Sequence, residues 1–109
     1  MPSTLIVARM QQESQHDVAK IFEEFDRTEM PHLMGTSRRQ LFTFHGLYFH
    51  IQDFDSDRGG AAIEETKNHP LFVQVSTDLK PFITAYDPQT WRSPADAMAT
   101  PFYYWTKSS

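Results

Sequence analysis

Arg38-Arg39-Gln40-Leu41-Phe42-Thr43-Phe44-His45-Gly46-Leu47-Tyr48-Phe49-His50-Ile51-Gln52-Asp53-Phe54 is the stretch whose reading decides the fold. Two runs rich in aromatic and β-branched residues flank a His-Gly pair. Gly46 supplies the positive φ that a tight primed turn requires, and His45 tolerates such a φ better than a β-branched residue does. A two-residue hairpin is therefore expected. It pairs Phe44 with Leu47, Thr43 with Tyr48, Phe42 with Phe49, Leu41 with His50 and Gln40 with Ile51. Strand alternation then separates two faces. One carries Phe42, Phe44, Leu47, Phe49 and Ile51. The other carries Arg39, Leu41, Thr43, Tyr48, His50 and Gln52.

Working outward, Leu5 to Ala8 is an apolar, partly β-branched run of the kind that forms a central strand covered on both faces. Ser14 can cap a helix with Asp17 at its third position, and Val18, Ile21, Phe22 and Phe25 recur at helical spacing. Pro31 disfavours helical geometry just before it, so that helix should end near Glu29. Asp53 to Gly60 reads as a loop and Ala61 to Lys67 as a short helix. Pro70 suits the first turn of another helix, with Leu71, Phe72, Val75, Leu79 and Phe82 on its buried stripe and Pro81 distorting its end. Tyr86 to Pro101 is an irregular arm, and Phe102 to Thr106 is expected as a final aromatic strand. The order strand, helix, strand, strand, helix, strand is the split βαβ arrangement of the α+β, ferredoxin-like class, with helices on one face of a four-stranded antiparallel sheet.

An apolar sheet face needs a partner, whereas a face mixing Arg, Tyr and His with Leu suits the wall of a partly polar pocket. We assign the Phe-rich face to a dimer interface and the Arg39 and His50 face to the space beneath the helices, with Asp26 reaching it from the end of the first helix. Pattern alone leaves the reverse open, with the Phe face under the helices and the polar face in solvent.

The chain has 109 residues, the size of a single domain spanning 1–109, with 39% hydrophobic residues and nine Phe, four Tyr and two Trp. Net charge is -4, so the basic excess that nucleic acid demands is missing. No Cys is present, which removes disulfides, thiolate metal sites and cysteine nucleophiles. No stretch approaches the roughly 20 apolar residues of a membrane span, and the opening Leu-Ile-Val-Ala run has neither a basic flank nor a cleavage site. A cytoplasmic protein is expected, without a membrane partner. The His45 and His50 rings fall on opposite strand faces, and the alternating carboxylates of Asp53, Asp55 and Asp57 lack the later Glu of a calcium loop, so no metal site is expected.

The same residues carry a resemblance. Leu5-Ile6-Val7-Ala8-Arg9-Met10, Phe25-Asp26-Arg27-Thr28-Glu29-Met30-Pro31, Arg38-Arg39-Gln40-Leu41-Phe42, Leu47-Tyr48-Phe49-His50, His69-Pro70-Leu71-Phe72 and Phe102-Tyr103-Tyr104-Trp105 resemble the tetracenomycin-type aromatic polyketide cyclases of actinobacteria. Gln52-Asp53-Phe54-Asp55 and Trp91-Arg92-Ser93-Pro94-Ala95-Asp96-Ala97 resemble the cyclases of spore-pigment and pentangular polyphenol pathways. The resemblance implies a homodimer, a cavity that takes a long polyketide, closure of a later ring, and a setting among aromatic polyketide synthase components. It also implies that Asp26, Arg39 and His50 line the cavity. Some relatives have His where this chain has Phe25, so a mechanism relying on that imidazole does not transfer.

Ring closure of a poly-β-ketone removes an acidic C–H between carbonyls, stabilises an enolate or alkoxide, and expels water; it calls for no cofactor. His50 has an ordinary pKa suited to general acid–base work, Arg39 offers a planar fork of donors to an enolate oxygen, and Asp26 can orient either. These three are the candidate catalytic residues. Tyr48, Leu41, Thr43, Phe25 and Trp105 are the candidate substrate-binding residues. The plain alternatives are an Asp26–Arg39 ion pair that fastens helix to sheet and a strand histidine that is merely hydrogen-bonded. Two rival functions share the expected fold: a cofactor-free anthrone monooxygenase, and a non-catalytic polyketide-binding subunit.

Overall fold

The protein is described by a computed structural model covering residues 3–55, 59–92 and 94–107. Residues 56–58 of the expected 53–60 loop and residue 93 of the expected 86–101 arm lie outside the described residues. Four antiparallel strands, β1 (Ser3–Met10), β2 (Thr36–Phe44), β3 (Leu47–Phe54) and β4 (Ile83–Ala85), form one sheet in the order β2-β3-β1-β4. Four helices, α1 (Gln15–Phe25), α2 (Met30–Met34), α3 (Gly59–Thr66) and α4 (Pro70–Leu79), complete the ferredoxin-like α+β fold.

The hairpin has the expected register. His45 and Gly46 adopt φ of 49° and 80°, and all five pairs from Phe44↔Leu47 to Gln40↔Ile51 are formed. The carbonyl of Gly46 also accepts a hydrogen bond from the Met10 amide at 3.0 Å, tying the turn to the end of β1. At the other end of β2 the register shifts between Thr36 and Arg38. This β-bulge lets Thr36 and Arg39, three positions apart, both face the helices. Gln52, 2% exposed, donates to the Thr36 hydroxyl at 2.6 Å and so satisfies its own buried amide.

The helices cover the face bearing Tyr48, His50 and Gln52, which settles the face assignment left open by pattern. The α1 stripe of Val18, Phe22 and Phe25 is buried with Met30 and Met34 of α2, Ile63 of α3, Val75 of α4, and Ala8, Met10 and Phe54 of the sheet. Each large apolar side chain so buried contributes about 1.5–3 kcal/mol. The other face leaves Phe42 and Phe44 exposed, with Leu5, Val7, Leu47, Phe49 and Ile51 only half-buried.

Three local expectations are corrected. First, α1 ends at Phe25 rather than near Glu29, and Ser14 makes no side-chain capping bond. The chain breaks at Asp26, whose amide still bonds the Phe22 carbonyl, and Pro31 then opens a new short helix, because proline suits a first turn. Second, Asp53 and Phe54 extend β3 instead of starting a loop. Third, the final strand is not Phe102–Thr106 but Ile83–Ala85, which pairs with Ala8, Arg9 and Met10. The same edge of β1 then takes Met98 opposite Ile6 and the Ala99 amide on the Leu5 carbonyl at 2.7 Å. Pro101, with no N–H to donate, follows, and Phe102 to Trp105 run as exposed chain outside any strand.

Candidate functional site

Between the sheet and the helices lies a cavity of about 610 Å³. Its floor is Arg39 of β2, Tyr48, His50 and Gln52 of β3, and Ile6 of β1. Phe22, Phe25, Met34, Ile63, Phe72, Val75 and Leu79 supply its apolar walls, with Trp91 from the arm that follows β4. Pockets for small organic ligands typically measure about 300–1,000 Å³, so this one admits a multi-ring or folded chain-like molecule. A smaller hollow of about 280 Å³, lined by Val7, Tyr86, Asp87 and Trp91 among others, contains none of the floor residues.

Hydrogen bonds organise the floor. Arg39 Nε donates to both carboxylate oxygens of Asp26 at 3.1 Å, and its Nη2 donates to Oδ1 at 2.8 Å. The side chain of Arg39 is only 7% exposed, whereas that of Asp26 is 37% exposed, so Asp26 holds the guanidinium from the rim. The guanidinium lies 5.0 Å from the ring centre of Phe22 and 5.5 Å from that of Phe25, within cation–π range. Phe25 therefore occupies two places at once, as cavity wall and as a face against the cation.

Arg39 Nη1 is 2.9 Å from His50 Nε2. A guanidinium only donates, so Nε2 must be the accepting, unprotonated nitrogen. The ring is then neutral with its proton on Nδ1, which lies 3.2 Å from the Tyr48 hydroxyl. Burial first, and the neighbouring Arg39 charge second, lower the His50 pKa to about 3. In the resting site, then, the His50 lone pair is taken and the charged form is disfavoured on two counts. Burial, opposed in part by Arg39, pushes the Tyr48 phenol above its usual value.

Of the expected substrate-binding residues, Tyr48 and Phe25 line the cavity, while Leu41, Thr43 and Trp105 do not. Leu41 packs against the core, Thr43 donates to the Leu47 carbonyl at 3.1 Å, and Trp105 is 70% exposed on the C-terminal segment. Leu41 and Thr43 have the right strand parity but sit toward the turn end of β2, past the mouth that Arg39 faces. Trp91 takes the tryptophan position in the wall. Its aromatic bulk within a proline-punctuated arm was the available signal, but no periodicity pointed it inward.

An α+β sheet with a half-open, aromatic-walled pocket and a cationic donor cluster at its floor defines a small-molecule site of the ferredoxin-like class. The comparisons specify it. The family model for polyketide synthesis cyclases matches residues 2–106. The chain is 49% identical to an uncharacterized protein of Streptomyces coelicolor, over 99% of this chain and 97% of that one. It is 38% identical to tetracenomycin F2 cyclase of Streptomyces glaucescens, over 94% and 92% of the two chains. The solved structure of tetracenomycin F2 cyclase superposes with a TM-score of 0.91 at 36% identity, covering 99% of this chain and 100% of that one. A Caulobacter crescentus protein described as an antibiotic biosynthesis monooxygenase shares the fold alone, at 14% identity and a TM-score of 0.56 over 74% and 76% of the two chains. The chain belongs to the polyketide synthesis cyclase family, and its activity is that of an aromatic polyketide cyclase.

Proposed function

We propose that the protein closes a later ring of a poly-β-ketone by an aldol-type step with loss of water, acting on one folded conformer held in the 610 Å³ cavity. The observation that carries this reading is the guanidinium of Arg39, withdrawn from water and fixed by Asp26 on one side and His50 on the other. Those contacts engage three of the five N–H donors that a guanidinium offers, which leaves two for a substrate oxygen. A preorganised cation in a water-poor site favours an enolate or alkoxide at no reorganisation cost. Asp26 and His50 hold it in place. Phe25 and Tyr48 contact the substrate, and the apolar walls select the fold of the chain.

The protein works as a homodimer in the cytoplasm beside aromatic polyketide synthase components. Two features support the dimer: the apolar sheet face around Phe42 and Phe44, and the exposure of the four aromatic side chains of Phe102-Tyr103-Tyr104-Trp105. Trp105 then serves the substrate site only indirectly, through that interface.

Coexpression with a minimal aromatic polyketide synthase, with and without this protein, tests the reading. The expected result is a dehydrated, unoxidised ring system that is absent without the protein. An identical product mixture in both cultures overturns the enzymatic reading, and oxygen-dependent product formation replaces it with the monooxygenase.

A further inference from the structure

We infer that Tyr48 is the catalytic proton donor, delivering its hydroxyl hydrogen to the carbonyl oxygen under attack, and that His50 is a fixed neutral link aligning Tyr48 with Arg39. The inference rests on the cyclase reading.

Direction is the core of the argument. Arg39 donates to His50 Nε2, so His50 must donate from Nδ1, and the atom placed to receive that hydrogen is the Tyr48 hydroxyl oxygen. Once that oxygen accepts, its own hydrogen is free to point elsewhere. Among the described residues Tyr48 hydrogen-bonds to His50, and Tyr48 lies in the cavity floor with 3% of its surface exposed. The hydrogen is therefore available to a ligand in the cavity. Arg39, His50 and Tyr48 form a line of donors that polarise one another toward the ligand, each strengthening the next. The ring of Phe22, 5.1 Å from that of His50 and edge-on to it, holds the imidazole in this plane.

Among the described lining residues the other charged groups are Lys67, Lys80 and Arg92, on the segments after α3, α4 and β4; the Lys67 ammonium is paired with Glu64 at 2.9 Å, and Asp26 is bound to Arg39. The proton balance closes within the site. The enol of the substrate supplies the electron pair for the new C–C bond, and the carbonyl π pair moves onto oxygen, which takes the Tyr48 hydrogen. The phenolate left behind accepts the His50 Nδ1–H and recovers a proton from the former enol hydroxyl, which has become a protonated ketone. Nothing is oxidised or reduced, and His50 keeps its proton throughout.

The test has two arms. In ligand-free protein labelled with [15N]histidine, His50, assigned by its absence in His50→Gln, is expected to show the neutral Nδ1–H tautomer unchanged from pH 5 to 8. A proton on Nε2, or titration near 6.5, overturns the inference. In turnover, Tyr48→Phe is expected to lower kcat about 100-fold or more with KM within about threefold, as removal of a general acid does. His50→Gln, which retains one donor and one acceptor but cannot titrate, is expected to lower kcat by only about tenfold and to leave the pH profile flat through 6.5. A Tyr48→Phe enzyme with wild-type kcat, or His50→Gln as damaged as Tyr48→Phe, overturns the inference. A wild type without turnover overturns the cyclase reading instead, and the histidine spectrum judges the donor line independently of it.

Discussion

On the helix-covered side of the sheet, Tyr48, His50 and Gln52 keep 3%, 6% and 2% of their surface in water, while on the opposite side Phe42 and Phe44 keep 49% and 63%. Across this hairpin His50 and Gln52 are inside while Phe42 and Phe44 are outside. The difference teaches that burial here follows the availability of partners rather than side-chain polarity. Gln52 has Thr36, His50 has Arg39 and Tyr48, and Arg39 has Asp26, so their desolvation is met by hydrogen bonds. The phenylalanines need only an apolar surface, which a second copy can bring.

The contrast can be broken most strongly from the inside. Arg39→Met makes the floor apolar and removes the cation between Asp26 and His50; product formation is expected to fall about 10²- to 10³-fold, the usual cost of losing an oxyanion donor. The fold should persist in thermal melting, because Asp26 is exposed enough to be solvated. Wild-type turnover would detach Arg39 from the chemistry. On the outside, Phe42→Glu combined with Phe44→Glu places two charges in the proposed interface; sedimentation should show the dimer dissociation constant raised about 100-fold or more, with each chain still folded. A variant that stays dimeric moves the interface elsewhere.

A smaller effect comes from pH. The unfolded chain protonates His50 near its ordinary 6.5, whereas the folded value is about 3. Between those values the unfolded state binds more protons, so stability is fully present above 6.5 and is lost as pH falls toward 3. Urea melts at pH 7 and pH 5 should show the wild type losing about 2 kcal/mol more than His50→Gln. Equal losses would mean that the ring is not held neutral. The smallest effect belongs to the turn. Gly46→Ala meets no atom within 4 Å but must keep a φ of 80°, so it should cost about 1 kcal/mol of backbone strain in the same melts, with turnover per folded molecule unchanged.

How far the sequence could be read depended on whether a signal was local. Alternation around His45-Gly46 specified the β2–β3 pairing residue by residue, and through it the face shared by Arg39 and His50. The fourth strand differs from the expected one because the second edge of β1 is taken by Ile83–Ala85 and Met98, leaving the Phe102 to Thr106 run, for all its strand-like composition, no place beside β1. Ile83–Ala85, three residues long, is too short to show a period. The pair Asp26 and Arg39 could be suspected from the end of α1 and the strand face. The contact between Arg39 and His50 could not: Arg39 lies opposite Gln52, and only the diagonal reach of its side chain brings Nη1 to the ring. The same holds for the depressed His50 pKa, which depends on how completely helices from elsewhere in the chain cover the ring.

Arg38 and Arg39 are neighbours, yet one faces solvent and the other the cavity. A turn of two residues gives every β2–β3 pair between the turn and the bulge, from Phe44↔Leu47 to Arg38↔Asp53, an odd sum of positions, so odd-numbered residues of that stretch of β2 share a side with even-numbered residues of β3. Had the same residues closed through a three-residue loop, Arg38 would stand with His50, and Arg39 would take its place in water. Which guanidinium enters the cavity is thus a matter of counting, settled by the backbone angle that Gly46 permits seven positions away.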